Sequence, residues 1–275
     1  MRSHVTTKVA IYIFLVVVSV TAVFPIYWLF SSALKPAKDL WTVPPSFFPL
    51  QPDFSHLVQI IREREFPKYL FNSLVVSLGS AAVSLFLGAL VAYSLTRYPM
   101  RGRKQIAFWL ISLRMMPPIV VILPLYIFFT RLGLIDSHLG LVLAHVTFNL
   151  PFASWMLAGF FREIPKEIDE AALLDGCTPV GVLFRIVLPL AAGGIAATGV
   201  FCVLWSWNDF IFSFSLTSTK AATLPVPISG FLGDYVWEWS AFYAGGSIAA
   251  IPIVLLAIFA QRYLVRGMTF GAVSS

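Results

Sequence analysis

The 275-residue chain is 59 % apolar and only 12 % charged, with a mean hydropathy of +0.85. Globular chains carry about a quarter charged residues, which excludes an ordinary soluble domain; at roughly 20 to 25 residues per span, six spans take about half of the chain and leave no room for a fused ATPase or large binding domain. The net charge of +6 and pI near 9.4 fit the cytoplasmic Lys and Arg that orient a membrane protein rather than nucleic-acid binding.

The first apolar run, about Val9 to Leu34, follows Arg2 and Lys8. It is longer than a cleavable signal's apolar region of about 7 to 15 residues, and Tyr27 and Trp28 near its end suit an interfacial belt, so an uncleaved first helix is expected. Lys35 to Lys68 is the longest non-membrane stretch; Pro44, Pro45, Pro49 and Pro52 make it an extended connector, with a short surface helix expected near Phe54 to Ile61. Further spans are expected over Phe71 to Leu95, Gln105 to Thr130, Leu139 to Phe160, Leu190 to Leu216 and Ala241 to Tyr263. No repeat or linker divides the chain, so residues 1–275 read as one all-α domain, a polytopic bundle of six transmembrane helices.

Arg97, Arg101, Arg103 and Lys104 after the second span, and Arg262 and Arg266 after the last, carry no acid beside them. By the positive-inside rule both termini are cytoplasmic. Lys35, Lys38, Arg62, Arg64 and Lys68 then lie outside, in a longer loop, which the rule weighs less. In the second span Ser80, Ser84, Gly88 and Ala92 recur every fourth residue, a stripe of small side chains that lets another helix approach closely.

Arg114, in the third span, would cost roughly 2.5 to 3.5 kcal/mol at a bilayer centre, so it is expected to face the protein interior. It lines a solute path, gates it, or pairs with an acid or helix end; Pro117 and Pro118 break the helix ladder beside it and free carbonyls for a guanidinium. Asp209, with Asn208 and Trp207, is the corresponding acidic position of the fifth span, set among Trp205, Phe210, Phe212 and Phe214. His145, Asn149 and Pro151 form another polar patch, in which the histidine reads first as a helix-to-helix hydrogen-bond partner. His4, His56 and His138 are scattered and Cys177 and Cys202 lack ligand spacing, so no metal site or disulfide framework is expected.

Phe161 to Pro189 differs from the other inside loops because it is acidic: Glu163, Glu167, Asp169, Glu170 and Asp175 outnumber Arg162, Lys166 and Arg185. Topology alone does not require that. Pro165 suits a helix start, acids fill the first turns, and Gly176 supplies a stop, so a helix is expected over Pro165 to Asp175. Glu163, Glu167 and Glu170 fall on one side and Ile164, Ile168, Ala171 and Ala172 on another, narrow and apolar, as in a helix that docks in a groove. Thr178 is expected to cap a second helix from Pro179, with Leu183, Ile186 and Val187 facing the membrane domain.

The string Glu170-Ala171-Ala172, three residues, Gly176, nine residues, Ile186, one residue, Leu188-Pro189 resembles the EAA loop of permease subunits in bacterial ABC importers. Trp207-Asn208-Asp209-Phe210, the Met115 to Leu125 stretch and the ending from Gln261 to Val273 look like sugar permeases of the maltose-type branch, and most like the smaller six-span partner; Ser274-Ser275 departs from that family's usual Lys-Gly ending. The resemblance implies a sugar-transporting subunit with no catalytic site, in the cell membrane, beside a second homologous permease, two ATP-binding subunits that hold the ATP and Mg²⁺, and an external solute-binding protein. It implies that Glu163, Glu167, Glu170, Ala171, Ala172, Asp175 and Gly176 form the ATPase-coupling face, and that Thr269, Phe270, Gly271 and Ala272 lie at the ATPase interface. It also assigns the loop from Thr217 to Glu238, a non-helical excursion shaped by Pro225, Pro227, Gly230 and Gly233, to contact with the binding protein.

No GxxxxGK[ST] string occurs, so ATP work falls to another chain and no cofactor is expected in this one. A permease for a polyol, glycerol phosphate or amino acid would share the loop, whereas the WNDF string and the tail favour sugars. A secondary carrier would need intramembrane carboxylates and inverted repeats, and only Asp209 qualifies. An intramembrane enzyme would need a converging nucleophile, acid pair or metal triad, and none is present in the spans.

Overall fold

The computed structural model describes residues 2–63, 65–231 and 239–269, and among these every regular element is helical. In chain order they are α1 (Arg2–Ala33), a 3₁₀ turn (Ala37–Trp41), α2 (Ser55–Glu63), α3 (Phe66–Arg97), α4 (Arg103–Leu113), α5 (Pro118–Leu132), α6 (His138–Glu163) and α7 (Lys166–Leu174). There follow α8 (Pro179–Val182), a π-helical turn (Leu183–Val187), α9 (Leu188–Leu190), α10 (Ala192–Trp207), α11 (Ile211–Leu216), α12 (Pro225–Gly230) and α13 (Trp239–Thr269).

Among the described residues, four helical stretches are long and apolar enough to cross a membrane: Thr7–Ala33, Phe66–Arg97, His138–Glu163 and Trp239–Gln261. Two further stretches are bent pairs, α4 with α5 at 90° and Pro179–Leu190 with α10 at 81°, and counting each pair as one span gives six. The first bend follows from Pro117 and Pro118. Proline has no backbone N–H with which to extend the ladder of α4, while Pro118 is well suited to begin α5. Of the expected fifth span, α10 ends at Trp207 and a short break over Asn208–Phe210 separates it from α11.

The chain forms two compact units. The smaller comprises the chain up to Pro67 with Pro227–Ile251. Here the Pro-rich connector folds back on the end of α1: the Tyr27 and Ser31 hydroxyls both donate to the Phe47 carbonyl, and Lys35, buried under the Trp28 ring, donates to the Ser46 carbonyl at 2.6 Å. The expected surface helix is α2, and Asp53 caps it by accepting from the Ser55 amide.

The larger unit comprises Lys68–Val226 with the chain from Pro252. Its centre is α6, whose most apolar window is 56 % buried, against none for that of α1. The small stripe of α3 packs where expected: Ser80, Ser84 and Ala92 are fully enclosed, and a Cβ on Gly88 would stand 3.0 Å from the Ala153 Cβ and 3.1 Å from the Ser154 amide nitrogen. Backbones that approach this closely exchange lipid contacts for dense helix-to-helix contacts, the main source of association in an apolar solvent. Hydroxyl and amide groups add a polar seam: Ser80 meets Ser206 at 2.8 Å, and Asn149 donates to Ser206 and to the Cys202 carbonyl, joining α3, α6 and α10.

One local expectation is corrected. Pro225, Pro227 and Gly230 lie in the short helix α12 rather than in a non-helical excursion, because proline at a helix start loses no ladder bond and brings the required φ. Gly233 lies outside the described residues.

Candidate functional site

The acidic loop becomes a folded platform. Helix α7 ends as its residues dictate: Gly176 takes φ +84°, its amide donates to the Leu173 carbonyl, and the Cys177 amide reaches back to Ala172. That double closure is a Schellman stop, which favours glycine because a side chain is strained at positive φ. Thr178 then caps α8, its hydroxyl accepting from the Gly181 amide at 3.1 Å. Val182, Leu183 and Val187 are fully or nearly fully buried in one core with Ala89, Ala92 and Tyr93 of α3 and Leu157 and Phe161 of α6. Burying each such aliphatic side chain is worth about 1.5 to 3 kcal/mol, so the platform is fixed rigidly to the ends of two spans.

The faces of α7 divide differently from the expected split. Ala172 packs inward as the apolar face requires, but the residue beside it is Asp169, which is also buried. Its carboxylate lies 2.6 Å from the Arg97 guanidinium at the end of α3, with both side chains under a tenth exposed, and Arg97 also donates to the Ile164 carbonyl at 3.1 Å. Arg97 read from sequence only as a topology charge and Asp169 only as one of five acids. No periodic signal marks their pairing. The outward face carries Glu163, Glu167, Glu170, Ala171, Asp175 and Gly176, interleaved with exposed Ile168, Leu173 and Leu174, the last 89 % exposed. Apolar side chains of that size, ringed by carboxylates on a short helix, form a surface shaped for a protein partner. Thr269 ends α13, whereas Phe270, Gly271 and Ala272 lie outside the described residues.

A second feature lies at the two breaks. Where α4 bends into α5 and α10 gives way to α11, a cavity of about 250 Å³ opens, lined by Arg114, His145, Asn149, Trp205, Ser206 and Asp209 among others. Arg114 does not pair with Asp209. Its guanidinium carbon lies over the Phe152 ring at 4.2 Å and over the Trp205 ring at 4.3 Å. Two cation–π contacts at roughly 0.5 to 2 kcal/mol each are of the size needed to offset a membrane arginine. Asp209 instead accepts the Phe212 and Ser213 amides, at 3.0 and 3.3 Å, and stands 3.3 Å from His145 Nε2. Of the expected polar residues, Arg114 and Asp209 reach the cavity. Trp207 is buried outside its lining and the exposed Asn208 folds its amide back onto the Leu204 carbonyl. His145 and Asn149, which read as a separate patch, belong to the same cavity.

At the start of the expected binding-protein loop, Asp136 holds the segment after α11. Its carboxylate accepts the amides of Ser218, Thr219, Lys220 and Ala221 and the Ser218 hydroxyl. Partial burial alone would raise its pKa, but the four amide donors outweigh that and hold the carboxyl well below the usual carboxylate range. Asn72 ties the same segment to α3 by donating to the Lys220 and Ala222 carbonyls.

Residues 84–270 match the family model described as binding-protein-dependent transport system inner membrane component. The trehalose transport system permease protein SugB of Mycobacterium tuberculosis is 35 % identical over 258 residues, 92 % of each chain. The inner membrane ABC transporter permease protein YcjP of Escherichia coli is 34 % identical over 270 residues, 97 % of this chain and 96 % of that one. Among solved structures, a chain of a bacterial ABC transporter involved in import of the acidic polysaccharide alginate superposes with a TM-score of 0.79 at 21 % identity, over 96 % of this chain and 98 % of the other, which shows a shared fold. With its helical platform, its bent spans and a family match over most of its length, the chain belongs to the inner membrane permease components of binding-protein-dependent ABC transport systems.

Proposed function

We propose that this permease moves a sugar inward across the cytoplasmic membrane, in a complex with a second homologous permease, two ATP-binding subunits and an external solute-binding protein. The observation that carries the reading is the outward face of α7: Glu170 and its neighbouring carboxylates surround exposed Ile168, Leu173 and Leu174, while Asp169 and Ala172 fasten the same helix to α3 and the core. A partner that moves this helix moves the spans joined to it as a rigid body. The sugar is supported by the relatives, one of which is a trehalose permease.

In this arrangement both termini are cytoplasmic, ATP and Mg²⁺ belong to the partner subunits, and this chain performs no covalent chemistry. The loop that α12 belongs to faces outward, and Pro225, Pro227 and Gly230 of that short helix meet the binding protein. Replacing Glu170 with alanine in the reconstituted complex removes an acceptor of charge-assisted bonds from a partner arginine. Solute uptake and solute-stimulated ATP hydrolysis should both fall several-fold while membrane insertion is retained; wild-type rates in both would reject the coupling assignment.

A further inference from the structure

The cavity beside Arg114 has a chemistry that a neutral sugar does not explain. The guanidinium lies over two rings, Phe152 and Trp205, which offer it π faces but no hydrogen-bond acceptor, so its N–H groups remain the part a polar ligand can address. On that edge Nη1 is buried without a hydrogen-bond partner, and among the described residues no carboxylate lies within ion-pair distance of it. Asp209 lines the same cavity, yet its Oδ2 is engaged by two amides and His145. His145 itself is 3 % exposed, and its Nδ1 also lacks a partner. A buried charged donor left unpaired, as Arg114 Nη1 is, costs more than the roughly 1 to 3 kcal/mol of a neutral group, so the site is arranged for an acceptor that arrives from elsewhere.

We infer that this cavity is a subsite for an anionic sugar unit, whose carboxylate or isoelectronic sulfonate meets the in-plane N–H edge of Arg114 while ring hydroxyls reach His145 and Asn149. The inference rests on the sugar-transport reading above and narrows its substrate class. A planar guanidinium fork is matched to the two oxygens of a carboxylate. Two rings packed against the guanidinium remove rotamer freedom that a free arginine would lose on binding. The cavity is smaller than the roughly 300 Å³ at which drug-sized ligand sites begin, so it admits one ring-sized unit at a time. Its place at the two helix breaks, where unwound backbone is tolerated only beside protein or a water-lined space, suits a point on the solute path.

The test is equilibrium dialysis of the full chain in lipid nanodiscs against radiolabelled D-glucuronate and, separately, D-glucose, its neutral analogue. Wild type should bind glucuronate at least ten-fold more tightly than glucose. Arg114→Gln should abolish that preference, and Arg114→Lys, which keeps the charge but not the fork, should retain part of it. Equal affinity for the two probes, glucose binding alone, or a preference that survives in Arg114→Gln would overturn the anionic subsite and leave the sugar reading standing. Binding of neither probe by wild type would overturn the subsite as well, while the sugar reading is judged independently by uptake in the Glu170 experiment. Should Arg114→Gln fail to insert, the wild-type preference and its reduction in Arg114→Lys decide the matter.

Discussion

Replacing Asp169 with alanine leaves the Arg97 guanidinium almost wholly enclosed, at 7 % exposure, with its carboxylate partner gone. Removing one member of a buried ion pair costs about 3 to 5 kcal/mol, because the survivor's charge remains desolvated. At 1.4 kcal/mol per factor of ten, the opening equilibrium of α7 should rise by roughly two to three and a half powers of ten. Arg97→Ala should cost at least as much, since it also removes the donor to the Ile164 carbonyl. The double variant should cost clearly less than the sum of the two, since neither charge is then stranded. Amide hydrogen exchange over Lys166–Leu174 in the reconstituted complex, followed at one pH by mass spectrometry, reads the opening directly. Exchange within three-fold of wild type in Asp169→Ala, or strict additivity in the double variant, would refute the view that this pair clamps α7 to α3.

Two further outcomes follow from the same geometry. Gly88→Ala should lower stability by about 1 to 3 kcal/mol through overpacking, because the new methyl meets Ala153 and Ser154 at 3.0 to 3.1 Å, whereas Gly159→Ala, with nothing within 4 Å, should leave the melting temperature unchanged or slightly raised; equal shifts would contradict the close approach of α3 and α6. Asp136 has a folded-state pKa below its unfolded value of about 3.9, so its stabilisation is complete above that value and is lost as pH falls through the lower, folded one. The melting-temperature gap between wild type and Asp136→Asn should therefore be constant from pH 7 to about 5, should begin to narrow as pH falls below about 4 and should close only as pH nears the lower, folded-state value; a gap that widens on acidification would show that the carboxylate is not the anchor.

Local features were readable from the sequence because their causes are local. The bounds of α7, the Gly176 stop, the Thr178 cap and the break at Pro117 and Pro118 each depend on residues within one or two turns, through φ, missing donors and capping oxygens. The apolar runs and the small stripe on α3 also have a fixed period, and the bilayer imposes a minimum length, so the membrane class and the packing face were written into the order of residues. The tertiary structure alone decided which charged group meets which. Arg97 and Asp169 are separated by 72 positions, and the cavity gathers Arg114 from the α4–α5 bend, His145 and Asn149 from α6, and Trp205 and Asp209 from α10 and the break after it. No pattern in the chain distinguishes an arginine held by two aromatic faces from one held by an aspartate. That choice depends on how the bent helices cross, because cation–π attraction, ion pairing and desolvation all vary over a few ångströms that only packing sets.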